Sequence, residues 1–278
     1  MAIAHQGARF RELHRPGKPF ILANVWDRGS ARVLAGLGAE ALATSSAAHA
    51  FTLGRPDGGT LTRDEALAHA ADIVSATPLP VSGDFENGFG DAPDICAETV
   101  KLAAEAGLAG ISIEDTDFAA GTAYDFMLAV ERIRAAASAA RALKRDFVLV
   151  ARADGVMMEY YGMAEALRRI KAFDAAGADC LYVPVPPSVD DLRSVVAATA
   201  KPVNALAAGA LTKLSRQDFA SLGVARISLG SSLARVTHKA LHDAAKAMLD
   251  AGDFSLLGNG ISGGIINDLM LKGQGNGP

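Results

Sequence analysis

The chain has little cysteine, few aromatic side chains and no excess of basic charge. Its 278 residues include two cysteines, Cys96 and Cys180, too few for a disulfide framework or a structural zinc site. Two isolated thiols are typical of a reducing compartment, so we expect a cytoplasmic protein. Aromatic residues make up 6% and the net charge is −4. Nucleic acid is therefore not an expected partner, because its binding proteins use basic patches and stacking aromatics.

Long apolar runs are also lacking. No stretch of ~18 uncharged apolar residues occurs, so we expect no membrane partner. The first fifteen residues carry several charged side chains and no apolar core of a signal peptide. Half of the residues are hydrophobic and 21% are charged, which is enough for a packed core. The length predicts one large domain or two small ones.

Eight short apolar runs recur along the chain, and each is bounded by Gly, Pro, Asp or Ser. They do not alternate polar and apolar residues, which is typical of parallel strands buried on both faces. We predict strands at Phe20–Asn24, Ala41–Thr44, Pro80–Gly83, Gly110–Ile113, Phe147–Ala151, Cys180–Val183, Pro202–Ala205 and Ala225–Ser228.

Helical patterns fill the gaps between these runs, for example over Ala92–Glu105 and Met163–Ala175. Eight alternating strands and helices predict an α/β fold, a (β/α)8 TIM barrel over residues 1–250. An open doubly wound sheet is the alternative, but no G-x-G-x-x-G follows the first strand. The apolar, glycine-containing stretch 251–278 is expected to be a C-terminal helical extension that is swapped onto a neighbouring subunit.

Polar residues cluster after the predicted strands, where a barrel places its active site. Several carboxylates would meet at one mouth, and like charges need a neutralising partner. Such oxygen ligands suit Mg²⁺, with Mn²⁺ as a possibility. Arg152 faces this acidic set, and its planar fork suits a substrate carboxylate. The other strand-end residues include Trp26, Asp57, Asp84, Glu86, Glu114 and Asn204, of which we expect Trp26 and Asn204 to contact substrate.

These residues resemble a known superfamily, that of isocitrate lyase and phosphoenolpyruvate mutase. The resemblance covers nearly the whole chain in the right order. It is carried by Asn24–Asp27, Ala43–Ala47, Leu53–Asp57, Asp84–Gly90, Ile113–Asp115, Ala151–Asp154, Ala175–Cys180 and Gly223–Ser228. The resemblance implies a (β/α)8 barrel, a Mg²⁺ ion and a homodimer or homotetramer that swaps its last helix. It also implies a small 2-oxo or 2-hydroxy carboxylic acid as substrate.

The same resemblance implies roles for individual residues. Asp84 would hold the metal most directly, and Glu86 and Glu114 would hold it directly or through water. Glu86 stands where aspartate is more usual. Asp57 matches an aspartate near the metal and the reacting group, and Arg152 matches an arginine that binds substrate oxygens. The backbone N–H groups of Ser45, Ser46 and Ala47 match a loop that grips the substrate carboxylate.

The chain departs from the superfamily after the fourth predicted strand. Isocitrate and methylisocitrate lyases carry Lys-Lys-Cys-Gly-His there, whereas Thr116–Tyr124 contains no cysteine, lysine or histidine. An efficient lyase of the isocitrate type is therefore not expected. We expect instead a Mg²⁺-dependent C–C lyase that acts on a small 2-oxo acid through an enolate, with oxaloacetate decarboxylation as the simplest case.

Two other functions stay open at this point. One is P–C bond chemistry, as in a phosphonopyruvate hydrolase or a carboxyphosphonoenolpyruvate phosphonomutase, with Asp57 near the phosphorus. The other is a 2-oxo acid-binding protein with vestigial activity, to which the loss of the lyase loop points. For either enzyme, Asp84→Ala and Arg152→Ala are expected to abolish turnover and to leave the fold intact.

Overall fold

The computed structural model describes residues 3–275 and contains a closed barrel of eight parallel strands, so the predicted (β/α)8 architecture is confirmed. All eight predicted strands are present, shifted by at most a residue or two at each end. The order around the barrel is β1-β10-β9-β8-β7-β4-β3-β2, and β5 and β6 form a separate antiparallel hairpin. The strands are β1 Phe20–Asn24, β2 Ala41–Ala43, β3 Val81–Asp84, β4 Gly110–Glu114, β5 Thr116–Asp117, β6 Thr122–Ala123, β7 Val148–Arg152, β8 Cys180–Tyr182, β9 Val203–Leu206 and β10 Arg226–Ser228.

Helices follow the barrel strands and cover the outside of the sheet. The predicted helices at Ala92 and Met163 are confirmed as α5 and α7. Gly177 ends α7 in the left-handed conformation, with φ +106°, as expected of a C-cap glycine. The helices are α1 Ile3–Leu13, α2 Arg28–Gly36, α3 Ser46–Thr52, α4 Arg63–Ala76, α5 Pro93–Glu105, α6 Phe126–Ala142, α7 Met163–Ala176, α8 Val189–Ala197, α9 Arg216–Ser221, α10 Ser232–Ala251 and α11 Gly263–Gly273.

Side chains alternate between the two faces of each barrel strand. On β7, Leu149 and Ala151 pack outward against the helices, whereas Val148 and Val150 point into the barrel. Most inner residues at the N-terminal end are apolar, and Phe10 of α1 packs there on Phe20 with ring centroids 6.0 Å apart. Arg226, which is in register with Phe20, is a charged exception. Most polar inner residues lie toward the C-terminal ends of the strands, so the alternation gathers them at one mouth.

The C-terminal helices differ in how they pack. Helix α11 lies against α2 of the same chain, and glycines permit the close approach: a Cβ on Gly36 would come within 2.8 Å of the Leu269 carbonyl oxygen. Helix α10 is mostly exposed along its length. The expected packing of residues 251–278 on a neighbouring subunit concerns a second chain and stays a prediction. Within residues 3–275, no helix is long and apolar enough to span a bilayer.

Candidate active site

A cavity of about 150 Å³ opens at the C-terminal mouth of the barrel. Six of the predicted site residues line it together. Asp84 and Arg152 come from strand ends, and Asp57 from an exposed loop at the rim. The remaining three are Ser45, Ser46 and Ala47, which form the N-cap and first turn of α3 rather than a loop. The sequence prediction that these segments converge at one site is consistent with this geometry.

Asp84 is the most heavily hydrogen-bonded carboxylate of the cavity. Its Oδ2 accepts from the Ser46 backbone N–H at 3.0 Å and from the Ser46 hydroxyl at 2.9 Å. Its Oδ1 accepts from Arg152 Nη1 at 2.7 Å and from the Ser112 hydroxyl at 3.3 Å. The Ser46 N–H is thus already used by Asp84. The carboxylate is held in one orientation by groups from three different elements.

Arg152 is the charge centre of the site. Besides Asp84, it bonds Asp154 through Nε at 3.0 Å and through Nη2 at 2.5 Å, and Nη2 lies 3.0 Å from Glu114 Oε2. All three nitrogens of this guanidinium therefore have carboxylate partners. The side chain is 12% exposed, so these ion pairs are largely shielded from water. Arg152 is a structural hub as well as a candidate substrate ligand.

The carboxyl groups of the site have too little positive charge around them. Burial and the nearby charge of Asp84 raise the pKa of Asp57 and raise that of Glu86 to about 7. Burial, with the charge of Asp154, raises the pKa of Glu114 well above its usual range, and burial also raises the pKa of Asp154. The two guanidinium groups that line the cavity, those of Arg152 and Arg226, do not balance five neighbouring acids. A bound cation would reduce the repulsion between these carboxylates and stabilise their charged forms.

Glu86 stands slightly apart from the other acids. It is 3% exposed and has a φ of +44°, a left-handed conformation that is uncommon for a residue with a side chain and that costs free energy. Its Oε1 accepts from the Gly59 backbone N–H at 3.3 Å. It lines a second cavity of about 530 Å³, which it shares with Gly59 and Phe118 of the β5–β6 hairpin. Glu86 thus lies between the barrel mouth and this side cavity.

The donor set suits a hard divalent cation, although no ready-made metal cluster is present. Within residues 3–275, no three acidic, histidine or cysteine side chains converge on one point. Mg²⁺ does not require such a cluster, because it keeps several waters and takes one or two carboxylates. The burial of Glu86 and Glu114 beside other carboxylates, which raises their pKa values, favours a cation here. Asp84, Glu86 and Glu114 remain the residues predicted to hold it.

Two predicted substrate ligands lie outside the lining of the main cavity. Trp26 is half-buried, and its described hydrogen bonds are made by its backbone: its carbonyl oxygen lies 2.9 Å from His69 Nε2. Asn204 is 1% exposed and uses its amide on neighbouring strand residues, donating to the Ser228 hydroxyl at 2.8 Å and accepting from Arg226 at 2.9 Å. Direct contact of either residue with a substrate stays a prediction.

Sequence reasoning missed several residues that line the cavity, among them Tyr182 and Arg226. The guanidinium carbon of Arg152 lies 5.4 Å from the centroid of the Tyr182 ring. Arg226 is 3% exposed inside the barrel. An arginine within an otherwise apolar strand was the signal that could have identified Arg226. Arginine is rarely buried without a partner, so its position in a strand indicates a polar contact inside the barrel.

The fold and the site together define a class: (β/α)8 barrels with a carboxylate-rich site at the C-terminal mouth, where barrel enzymes carry out their chemistry. The sequence model of the phosphoenolpyruvate phosphomutase family matches residues 10–249. The chain therefore belongs to this family, within the isocitrate lyase/phosphoenolpyruvate mutase superfamily, and the resemblance inferred from its residues is confirmed.

Three similar proteins show which members of that superfamily the chain resembles. A proposed lyase/mutase from Burkholderia cenocepacia J2315 has 45% identity and a TM-score of 0.90, with 95% of each chain covered. The oxaloacetate decarboxylase of Paraburkholderia xenovorans is 33% identical over 264 residues, which are 90% of this chain and 84% of that protein. The solved structure of 2,3-dimethylmalate lyase has 26% identity and a TM-score of 0.84, covering 97% of this chain and 95% of that one.

Proposed function

We propose that the protein is a Mg²⁺-dependent C–C lyase that acts on a small 2-oxo acid, with decarboxylation of oxaloacetate as its reference reaction. One observation carries the proposal. Among the described residues, the cavity lining includes Arg152 and Asp84 but no cysteine, histidine or lysine. Loss of CO₂ needs no protein group to protonate a leaving group, so this reaction matches such a site. The similar oxaloacetate decarboxylase supports the same choice.

In the proposed reaction, the C3–C4 bond breaks and CO₂ leaves. The electron pair of that bond moves toward the 2-oxo oxygen and gives an enolate, which takes a proton from water at C3 to yield pyruvate. Arg152 would orient the substrate and share the negative charge through its N–H groups. Leu22, Leu206 and Met157 line the cavity and would exclude water from the reacting carbons.

The proposed cofactor follows from the acidic residues around the mouth. Asp84 would hold Mg²⁺ most directly, and Glu86 and Glu114 would contribute directly or through water. When bound, the ion supplies Lewis-acid stabilisation of developing negative charge. Mn²⁺, with the same preference for oxygen ligands, is the expected substitute. The raised pKa values of Glu86 and Glu114 support this proposal.

A pyruvate-release assay tests the function. Purified protein with Mg²⁺ is given oxaloacetate, 2-methylisocitrate or phosphonopyruvate, and the second product (CO₂, succinate or phosphate) identifies the bond that breaks. Each arm has an EDTA control and a protein-free blank with the same Mg²⁺, because oxaloacetate also decarboxylates without enzyme. We expect EDTA-sensitive turnover of oxaloacetate.

Substitution of one carboxylate in the site, and of one on the surface as a control, lets the assay test the site assignment. Asp84→Asn should lower turnover at least ~10³-fold, since it removes the carboxylate that bonds both Arg152 and Ser46. Asp72→Asn is the matched control, because Asp72 pairs with Arg28 on the surface. Equal rates for the Asp84 variant and the wild type would refute the site assignment. Binding of a 2-oxo acid without any turnover would favour the binding-protein alternative.

P–C bond chemistry is the second candidate, and two observations favour it. Asp57 lines the cavity, as expected of the aspartate that the resemblance places near the reacting group. A proposed phosphonomutase from Burkholderia cenocepacia J2315 has 38% identity and a TM-score of 0.81. Phosphate release from phosphonopyruvate, lost in Asp57→Asn, would select this function over decarboxylation.

We also propose that α10 and residues 252–262 after it pack on a second copy of the chain, in a homodimer or homotetramer. Val236, Leu241 and Leu249 of α10 are 66%, 66% and 84% exposed in the single chain. Burying such side chains is favourable, by ~1.5–3 kcal/mol for each. Light scattering should show an oligomer that Leu241→Glu with Leu249→Glu converts to a monomer. Met127→Glu, on an exposed site of α6, is the matched control.

The proposed location is the cytoplasm. Its support is the pair of cysteines, Cys96 and Cys180, which are both buried and free. Burial raises the pKa of both thiols, to about 11 for Cys180, and so keeps them protonated and unreactive.

A further inference from the structure

Arg226 lies on the floor of the active-site cavity. It is the first residue of β10, two positions before Ser228, so both side chains point into the barrel. Its neighbours across the sheet are Phe20 and Asn204, in the deeper part of the barrel. The side chain is 3% exposed and still lines the cavity.

The guanidinium of Arg226 forms no direct ion pair with a described carboxylate, although the charge of Asp84 acts on it. Its Nε donates to Asn204 Oδ1 at 2.9 Å, which is a neutral partner. Its Nη1 is buried without a hydrogen-bond partner among the described residues, and none of their carboxylates forms an ion pair with it. Burial accordingly lowers the pKa of Arg226. A buried charge without a partner is costly, so its presence in a ligand cavity points to an anionic ligand.

Arg226 differs in this respect from Arg152. Each of the three nitrogens of Arg152 has a carboxylate partner, whereas Nη1 of Arg226 has no hydrogen-bond partner among the described residues. Asn204 fixes the guanidinium, because its own amide is held by the Ser228 hydroxyl at 2.8 Å. The second arginine is thus oriented before any ligand arrives.

We propose that Arg226 binds a second carboxylate of the substrate, so that the site selects small dianionic acids over monoanions. Asn204 is then a positioning residue that acts through Arg226. The cavity volume of about 150 Å³ restricts the ligand to a few carbon atoms. The inference rests on the proposed function for the substrate class, small carboxylic acids, but it concerns binding and not bond cleavage.

Calorimetric titration with an unreactive ligand pair tests the proposal. Malonate carries two carboxylates, and malonamate has the same shape with one of them replaced by an amide. Both are titrated into protein in EDTA, so that no metal contributes. We expect the wild type to bind malonate at least tenfold more tightly, and Arg226→Met to bring the two affinities within a factor of about two. Arg193→Met, on the surface of α8, is the control and should keep the wild-type preference.

Several outcomes would overturn the proposal. Equal malonate preference in the wild type and Arg226→Met would show that Arg226 is satisfied internally, for instance by a buried water shared with His14, whose Nε2 also lacks a described partner. Tighter binding of inorganic phosphate than of malonate would replace the carboxylate with a phosphoryl group. If Arg226→Met does not fold, Arg226→Gln takes its place, because glutamine can still donate to Asn204.

The same measurements separate this inference from the proposed function. An Arg226-dependent preference for malonate, in a protein that turns over no tested acid, would support the anion site and refute the lyase. Oxaloacetate turnover with unchanged kcat and KM in Arg226→Met would support the lyase and refute the anion site.

Discussion

We expect Glu86 to make the stability of the metal-free protein depend on pH. Its pKa is raised to about 7 in the folded chain, against an ordinary value of 4.5, because the carboxyl is buried near Asp84 and Asp57. The folded state therefore holds this proton up to higher pH than the unfolded state does. Stability is lost as the pH rises from 4.5 to 7 and is not regained above 7. A difference of about 2.5 pKa units corresponds to about 3 kcal/mol.

The substitution Glu86→Gln isolates this effect, because glutamine can still accept from the Gly59 N–H but cannot ionise. Urea unfolding in EDTA should give similar stabilities for variant and wild type, apart from a constant offset, near pH 5. At pH 8 the variant should have gained up to about 3 kcal/mol relative to the wild type. Glu105→Gln, on an exposed site of α5, should run parallel to the wild type throughout. A Glu86→Gln difference that does not change with pH would refute the reasoning.

Three further predictions follow from the same structure. In urea unfolding, Arg152→Ala should be ~3–5 kcal/mol less stable than Arg152→Lys, because the buried carboxylates lose their positively charged partner. This prediction revises the expectation that Arg152→Ala leaves the fold intact. Equal unfolding midpoints for the two variants would contradict the prediction. Gly110→Ala should destabilise by several kcal/mol, since a Cβ there would lie 2.3 Å from the Val148 carbonyl oxygen, whereas Gly162→Ala meets nothing within 4 Å and should stay within ~1 kcal/mol. At pH 8, Mg²⁺ should raise the melting temperature of the wild type by several degrees and that of Glu86→Gln by less; equal shifts would remove Glu86 from the metal site.

The barrel could be predicted from sequence because its strands are strong local signals. Runs such as Phe20–Asn24 and Gly110–Ile113 are apolar and bounded by turn residues, and glycines such as Gly177 end the helices. The hairpin β5–β6 was not predicted, because its strands have two residues each and carry no periodicity. Helix α3 was also missed, since Ser45 and Ser46 were interpreted as a loop rather than as an N-cap and first turn.

Six of the predicted site residues line the main cavity, but the sequence did not predict how their side chains pair. Asp84, Arg152 and Asp57 were placed together because barrel strands end at one mouth. Arg152 also pairs with Asp154 and Glu114. These pairs depend on the directions of side chains within the barrel, which the sequence does not give. Arg226 escaped notice for the same reason: whether a strand residue faces inward is decided by register.

The bonds of Arg152 also bear on how the two halves of the chain depend on each other. Arg152 belongs to the fifth barrel strand, whereas Asp84 and Glu114 end the third and fourth. A chain divided within the hairpin between them would leave Arg152 and Asp154 in one fragment, and the other two carboxylate partners, Asp84 and Glu114, in the other. Each half-barrel therefore contains buried charges whose partners lie in the other half. A substitution at this mouth in one half has to be matched by the residues of the other half, so we expect the two halves to evolve together.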